Sequence, residues 1–265
     1  FEYINETLTG GAQPRITSYF SNSPLAMQDG PATGRVAELL TPFADDLPAG
    51  ALDGYALPVS DGSARNRAGI RRAMGALAYA GFSADGGTMR GPDGQPLSFS
   101  ILLSKGSSEN IAIAELYIQA LARLGITARV DAVDDAQFVA RNAAFDFDMA
   151  IFRRALSLSP GNEQRYYWGS EAADQEGSRN LMGVKSPAID AMIDTMVGAS
   201  SAEDFTAATR ALDRVLTAGR YVIPFWQFTE DRIAHVAAMK YPSHVPLYGD
   251  GPNYMPEVWW IEPAQ

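Results

Sequence analysis

The sequence predicts an α/β fold in which an open parallel sheet is built from consecutive strand–helix–strand units. Three observations predict it. Pro96–Ser104, Ile126–Val133 and Phe147–Phe152 are short apolar or β-branched runs of strand length. Two helix-like stretches, Glu109–Leu124 and Asp134 to Asn142, separate them. Strands alternating with helices in this way imply parallel neighbours joined by right-handed crossovers.

Taken in order, residues 1–9 have helical apolar spacing and meet a stop at Gly10-Gly11. No N-cap, initiator Met or signal peptide precedes them, so the chain reads as a processed or excised part of something longer. Residues 12–62 are dense in Pro and Gly and irregular, with one short helix near Gly34–Leu40. Asn66–Ala80 is the next helix, with Ile70, Met74, Leu77 and Ala78 on its inward face and Gly81 as its stop. Asp85–Gly94 is a polar turn leading into the first strand of the sheet. Ser186-Pro187 opens a helix over Ala188–Val197, and Ser201 with Asp204 forms a capping box for a helix reaching about Thr217. Tyr221–Phe228 is an aromatic strand broken by Pro224. From Glu230 onward Pro and aromatic residues accumulate without a period.

The stretch with the most chemistry is 147–169, which begins as the buried strand Phe147–Phe152 and turns at Ser159-Pro160-Gly161. Asn162, Glu163, Gln164 and Arg165 follow, then Tyr166, Tyr167 and Trp168. Open α/β sheets hold ligands in loops beyond their strand ends. The plainer reading is a solvated turn and an amphipathic helix anchored by its aromatics. Glu163 suits an ammonium group, while Asn162 and Gln164 suit a peptide backbone. Arg153, Arg154, Arg165 and Arg179 suit a carboxylate, against intramolecular ion pairing as the alternative. Tyr19 and Asn22, in the run Thr17–Asn22, add a ring and an amide, with simple turn chemistry as the alternative.

Composition narrows the function classes. A 265-residue chain with 46% hydrophobic residues has enough apolar material for a real core. Its net charge of −10 argues against a nucleic-acid partner. The absence of Cys removes disulfides and thiolate chemistry. His235 and His244 have no nucleophile motif beside them, and no metal-binding or phosphate-cradling motif occurs, so no cofactor or metal is expected. Asp146 and Asp148, flanking Phe147, allow a glycoside hydrolase with Glu163 as a rival; strand-edge charges facing solvent or Arg are the simpler reading.

Three stretches carry a resemblance to a known family. Asn66–Gly81 followed by Pro92-Asp-Gly-Gln-Pro-Leu97 resembles its helix and turn into a strand. Leu121–Val130 resembles its helix-to-strand join, and Asn180–Ile193 a third conserved-pattern stretch. In this order they are similar to the C-terminal half of a family 5 extracellular solute-binding protein, the receptor of an ABC importer. Ser157–Gln164, Phe145–Asp148 and Ala211–Leu216 are similar to the Yej-type subgroup, linked to oligopeptides and microcin C. The resemblance implies a periplasmic-binding-protein-like (type II) C-terminal lobe over residues 1–228, with 229–265 as hinge and return to a missing N-terminal lobe. It further implies a periplasmic location, an oligopeptide or peptide-conjugate ligand, and membrane permease and ATPase subunits as partners. A sugar or nickel chelate is the alternative ligand. Many peptide-binding members carry an Asp about where Leu156 stands, which leaves Glu163 as the nearest ammonium anchor. The candidate ligand-binding set is Tyr19, Asn22, Arg153, Arg154, Ser157, Ser159, Asn162, Glu163, Gln164, Tyr166, Arg179 and Asn180. Alone, the chain is expected to bind ligand feebly and to self-associate near Tyr221–Phe228.

Overall fold

The computed structural model describes residues 1–155, 157–227, 233–244 and 254–262, with Tyr254 and Pro256 described by backbone alone. Its first part holds α1 (Glu2–Thr9), α2 (Gly34–Leu40) running into a 3₁₀ turn at Thr41–Phe43, and α3 (Arg67–Tyr79). The hairpin β1 (Ser83–Asp85) and β2 (Thr88–Arg90) follows, then β3 (Ser98–Ser104), α4 (Ser108–Ala122), β4 (Thr127–Val133), α5 (Asp135–Ala143) and β5 (Met149–Ala150). After these come α6 (Glu163–Trp168), a 3₁₀ turn at Ser170–Asp174, α7 (Pro187–Val197), α8 (Ala202–Gly219), β6 (Met239–Lys240), α9 (Tyr254–Val258) and β7 (Trp260–Ile261).

The parallel sheet has the order β4-β3-β5. Ile101, Leu102 and Leu103 are each at most 2% exposed. Successive residues of a strand face opposite sides, so a strand apolar at every position belongs in the middle. β3 pairs with β4 over its whole length, from Ser98 opposite Thr127 to Ser104 opposite Val133. Helix α4 covers the face carrying Ile101 and Leu103 with Ile111, Ala114, Tyr117 and Ile118. Gly125 then turns the chain at φ 76°. A Cβ there would stand 2.7 Å from the Gly87 carbonyl oxygen, where the hairpin crosses, so glycine is required.

Four expectations need correction. The strand expected over Phe147–Phe152 shrinks to Met149–Ala150 and lies at the sheet edge, half-buried. Its first residues are taken by a turn, with Phe145 at φ 56° and the Phe147 N–H donated to the Phe145 carbonyl at 3.0 Å. Asp85–Gly94 is more than a turn, since Thr88–Arg90 folds back on Ser83–Asp85 as a hairpin. The described part of Tyr221–Phe228 forms no strand. Pro224 lacks an N–H, and only an isolated bridge joins Trp226 to Arg15; Phe228 lies outside the described residues. On α3, Ile70, Ala73 and Leu77 are half-buried, whereas Met74 and Ala78, expected inward, are exposed.

A second core is helical. Ile189, Met192 and Ile193 of α7 meet Leu212, Val215 and Leu216 of α8, and Phe20, Leu25 and Leu40 complete the cluster. The Pro/Gly-rich segment 12–62 is therefore wrapped onto this pair. A segment without a ladder of its own still needs partners for its backbone groups, and two neighbouring residues of α8 supply them. Asp213, 0% exposed, accepts the N–H groups of Tyr19 and Met27, each at 2.8 Å. Arg214 donates to the carbonyls of Ala51 (2.8 Å), Gln28 (2.8 Å) and Gly30 (2.7 Å).

Candidate ligand-binding site

Beyond the C-terminal ends of β3 and β5 lies an open groove of about 560 Å³. Leu103 and Ser104 line it, with Gly106, Ser107 and the first turn of α4 through Asn110, and with Phe138, Ile151, Phe152 and Arg153. This is the carboxyl edge of the sheet, beside the strand where β4 and β5 diverge to opposite sides, the usual ligand position in open α/β folds. Arg153 Nη2 reaches Glu109 Oε2 at 3.2 Å, an exposed ion pair between two of these residues.

Arg154 turns inward. Its guanidinium stands 5.2 Å from the ring centre of Phe20, 4.9 Å from that of Tyr167 and 4.9 Å from that of Trp168. Burial pulls its pKa down, while Tyr167, Glu163 and Asp213 oppose that fall. The ring faces offset part of the lost hydration. Arg154 Nη2 donates to Gln164 Oε1 at 3.2 Å, which also accepts the Trp168 indole N–H at 2.8 Å. The other end of the same amide donates to Glu163 Oε1 at 3.0 Å, and the Gly161 N–H joins it at 2.8 Å. Partial burial pushes the Glu163 carboxyl upward, but the Gln164 amide, the Gly161 N–H and Arg154 outweigh it and hold the group below its usual range. Glu163 is exposed, and its second oxygen accepts no hydrogen bond among the described residues.

Tyr19 joins this cluster through an edge contact with Trp168 (5.2 Å between ring centres) and a hydroxyl donated to Met182 Sδ at 3.2 Å. Arg179 Nη1 donates to the Tyr167 hydroxyl at 3.0 Å. Tyr19, Arg154, Glu163, Gln164 and Arg179 thus gather around Tyr167 and Trp168, while Arg153 faces the groove. Asn22 sits exposed in a turn at φ 61°. Ser157 Oγ accepts the Ser159 N–H at 3.0 Å, and exposed Asn162 precedes α6 without capping it. The Tyr166 hydroxyl donates to the Gly177 carbonyl. Asn180, 0% exposed, bonds the carbonyls of Gly169 (3.0 Å) and Val184 (2.8 Å) and accepts the Val184 N–H at 2.9 Å, which pins that loop. Leu156 lies outside the described residues.

One assigned role changes. Gln164 is 1% exposed and both ends of its amide are used, so it orients Glu163 and cannot pair a ligand backbone. Arg165 pairs with Asp194 and Arg179 bonds Tyr167, so neither of these nearby arginines holds Glu163. The two carboxylates flanking Phe147 are held within the chain. Asp146 pairs with Arg141 at 2.9 Å. Asp148 accepts the Ser100 N–H (2.8 Å) and hydroxyl (2.9 Å), which hold it below its usual range. Sequence reasoning missed Glu109 and the Asp213–Arg214 pair. The signal for the pair was two opposite charges set between apolar Leu212 and Val215 on one helix. Among the described residues no group of His, Asp and Glu could hold a metal ion, and no helix is long and apolar enough to cross a membrane.

This sheet, flanked by helices with a groove at its carboxyl edge, is the α/β architecture of type II periplasmic binding proteins. The chain belongs to the bacterial extracellular solute-binding proteins, family 5, whose middle-region profile matches residues 1–176. It is 39% identical, over 98% of its length, to the probable peptide-binding protein YejA of Agrobacterium fabrum. To the peptidoglycan-binding protein YepA of the same organism it is 38% identical over 98% of its length. The chain spans only 42% of each of these relatives. The oligopeptide-binding protein AppA of Bacillus subtilis, solved with a nonapeptide, shares the fold at 16% identity. Its TM-score is 0.59, over 91% of this chain and 47% of that one.

Proposed function

We propose that this chain is a ligand-binding lobe of an ABC-importer receptor that captures oligopeptides, or peptides joined to another group. The lobe comprises residues 1–228, and 229–265 forms the hinge and return to an N-terminal lobe. The closed receptor delivers its cargo from the periplasm to membrane permease and ATPase subunits. The observation that carries this reading is the 39% identity, along almost the whole chain, to a relative described as peptide-binding. In this reading the free oxygen of Glu163 takes the ligand ammonium, with Asn162 beside it for the ligand backbone. Arg153 and Glu109 exchange their mutual pair for ligand groups in the groove. The peptidoglycan-binding description of YepA favours a peptide conjugate as a second ligand class. Calorimetry of the full-length receptor tests the reading with an oligopeptide, a peptidoglycan fragment bearing its stem peptide, and an unsubstituted oligosaccharide. Binding of the peptide-bearing ligands is expected. Binding of the oligosaccharide alone, or its turnover, would overturn it.

A further inference from the structure

Helix α3 carries a charge pattern that its surroundings do not balance. No Asp or Glu occurs between Asp61 and Asp85, whereas Arg65, Arg67, Arg71 and Arg72 all fall in that interval. Arg123, beyond α4, joins them by donating to the carbonyls of Ala64 and Arg65. All five are exposed. None forms an ion pair among the described residues, and Arg72 spends one N–H on the Val59 carbonyl at 3.2 Å. This cluster stands in a chain of net charge −10.

Helical spacing sets Arg67, Arg71, Met74 and Ala78 in one outward row and Ala68, Arg72, Gly75 and Tyr79 in the next. Ile70, Ala73 and Leu77 face inward and are half-buried. The exposed side is basic in its first half and ends in Met74, 37% exposed, and Tyr79, 96% exposed. Tyr79 stands almost wholly in water about two turns beyond Arg72, where its own chain gives its ring little contact.

We propose that α3 is a contact face for an anionic lipid surface. Its guanidinium groups would meet phosphates while Tyr79 and Met74 settle at the headgroup boundary. The apolar side of α3 packs on its own chain, so the contact is electrostatic: exposed basic side chains are drawn to the negative potential of an anionic leaflet, with Tyr79 at headgroup level. The face is also a single convex helix, which suits a deformable lipid surface better than a protein partner that would need a matching acidic concavity. Repulsion of the acidic remainder favours approach with α3 leading.

Co-sedimentation tests the proposal with vesicles of equal parts phosphatidylglycerol and phosphatidylcholine, and with phosphatidylcholine alone, at low and high salt. The expected result is binding to the mixed vesicles at low salt, reversed by salt and absent without the anionic lipid. Arg67→Gln combined with Arg71→Gln, at exposed positions, should lower the partition coefficient about 30-fold. Tyr79→Ser should weaken it by a smaller factor. Circular dichroism confirms that each variant is folded. Failure to bind the mixed vesicles, or equal binding by the double variant, would overturn the proposal. Capture on immobilised polyglutamate without vesicle binding would also overturn it and assign the face to an acidic protein.

Discussion

Asp213 shows how much of this molecule hangs on single buried groups. Its two oxygens satisfy the N–H groups of Tyr19 and Met27, so Asp213→Ala strands two backbone donors where water does not reach. The expected cost is about 2–4 kcal/mol, read as a lower urea midpoint. Tyr19 packs on Trp168, so the same change should loosen the cluster that orients Glu163. Asp148 is an exposed acid whose charge is held by the sheet. The Ser100 N–H and hydroxyl hold its carboxyl below the usual carboxylate range. A depressed folded pKa contributes stability above the unfolded value, and that contribution disappears as pH falls through the folded value. Denaturation midpoints should therefore fall on acidification below about pH 4 more steeply in the natural protein than in Asp148→Asn. Equal acid limbs would show that the Ser100 bonds do not shift this group.

At the scale of elements, α8 organises the helical core. Leu212 is 0% exposed against α7, and truncation to Ala should cost about 2–5 kcal/mol. Ser201→Ala removes the acceptor of the Asp204 N–H (3.1 Å) at the helix start and should cost about 1 kcal/mol. Both are measured by equilibrium unfolding. Helices were the legible elements because their signals are local: Ser186 before Pro187, Ser201 before Asp204 and Gly10 in the left-handed conformation mark their ends. The strands of the parallel sheet were legible where apolar runs continued through β3. The last strand was not, because the turn at Phe145 and its consumption of backbone N–H groups leave no trace in hydropathy. Glu163 and Arg154 could be picked out as chemistry near a turn. That Arg154 turns inward to the ring of Phe20, far away in sequence, was invisible, as was the burial of Gln164.

For the whole molecule, the proposed function makes this chain one lobe of a two-lobed receptor. Tyr221, Val222 and Ile223 follow α8 with exposures of 38%, 41% and 57%, an apolar strip that another lobe would cover. Sedimentation velocity should find the isolated chain self-associating, and Ile223→Lys should reduce it. One lobe also supplies only part of a ligand's contact surface and leaves water at the charged groups. Peptide should therefore bind the isolated chain far more weakly than the full-length receptor. The most direct measurement is titration calorimetry of full-length receptor and its Glu163→Gln variant with a free peptide and its N-acetylated form. An ammonium held by Glu163 predicts that substitution and acetylation each weaken binding about 10- to 150-fold and that the two losses do not add. A variant that binds the free peptide as tightly as the natural receptor would contradict the account and place the anchor outside this lobe.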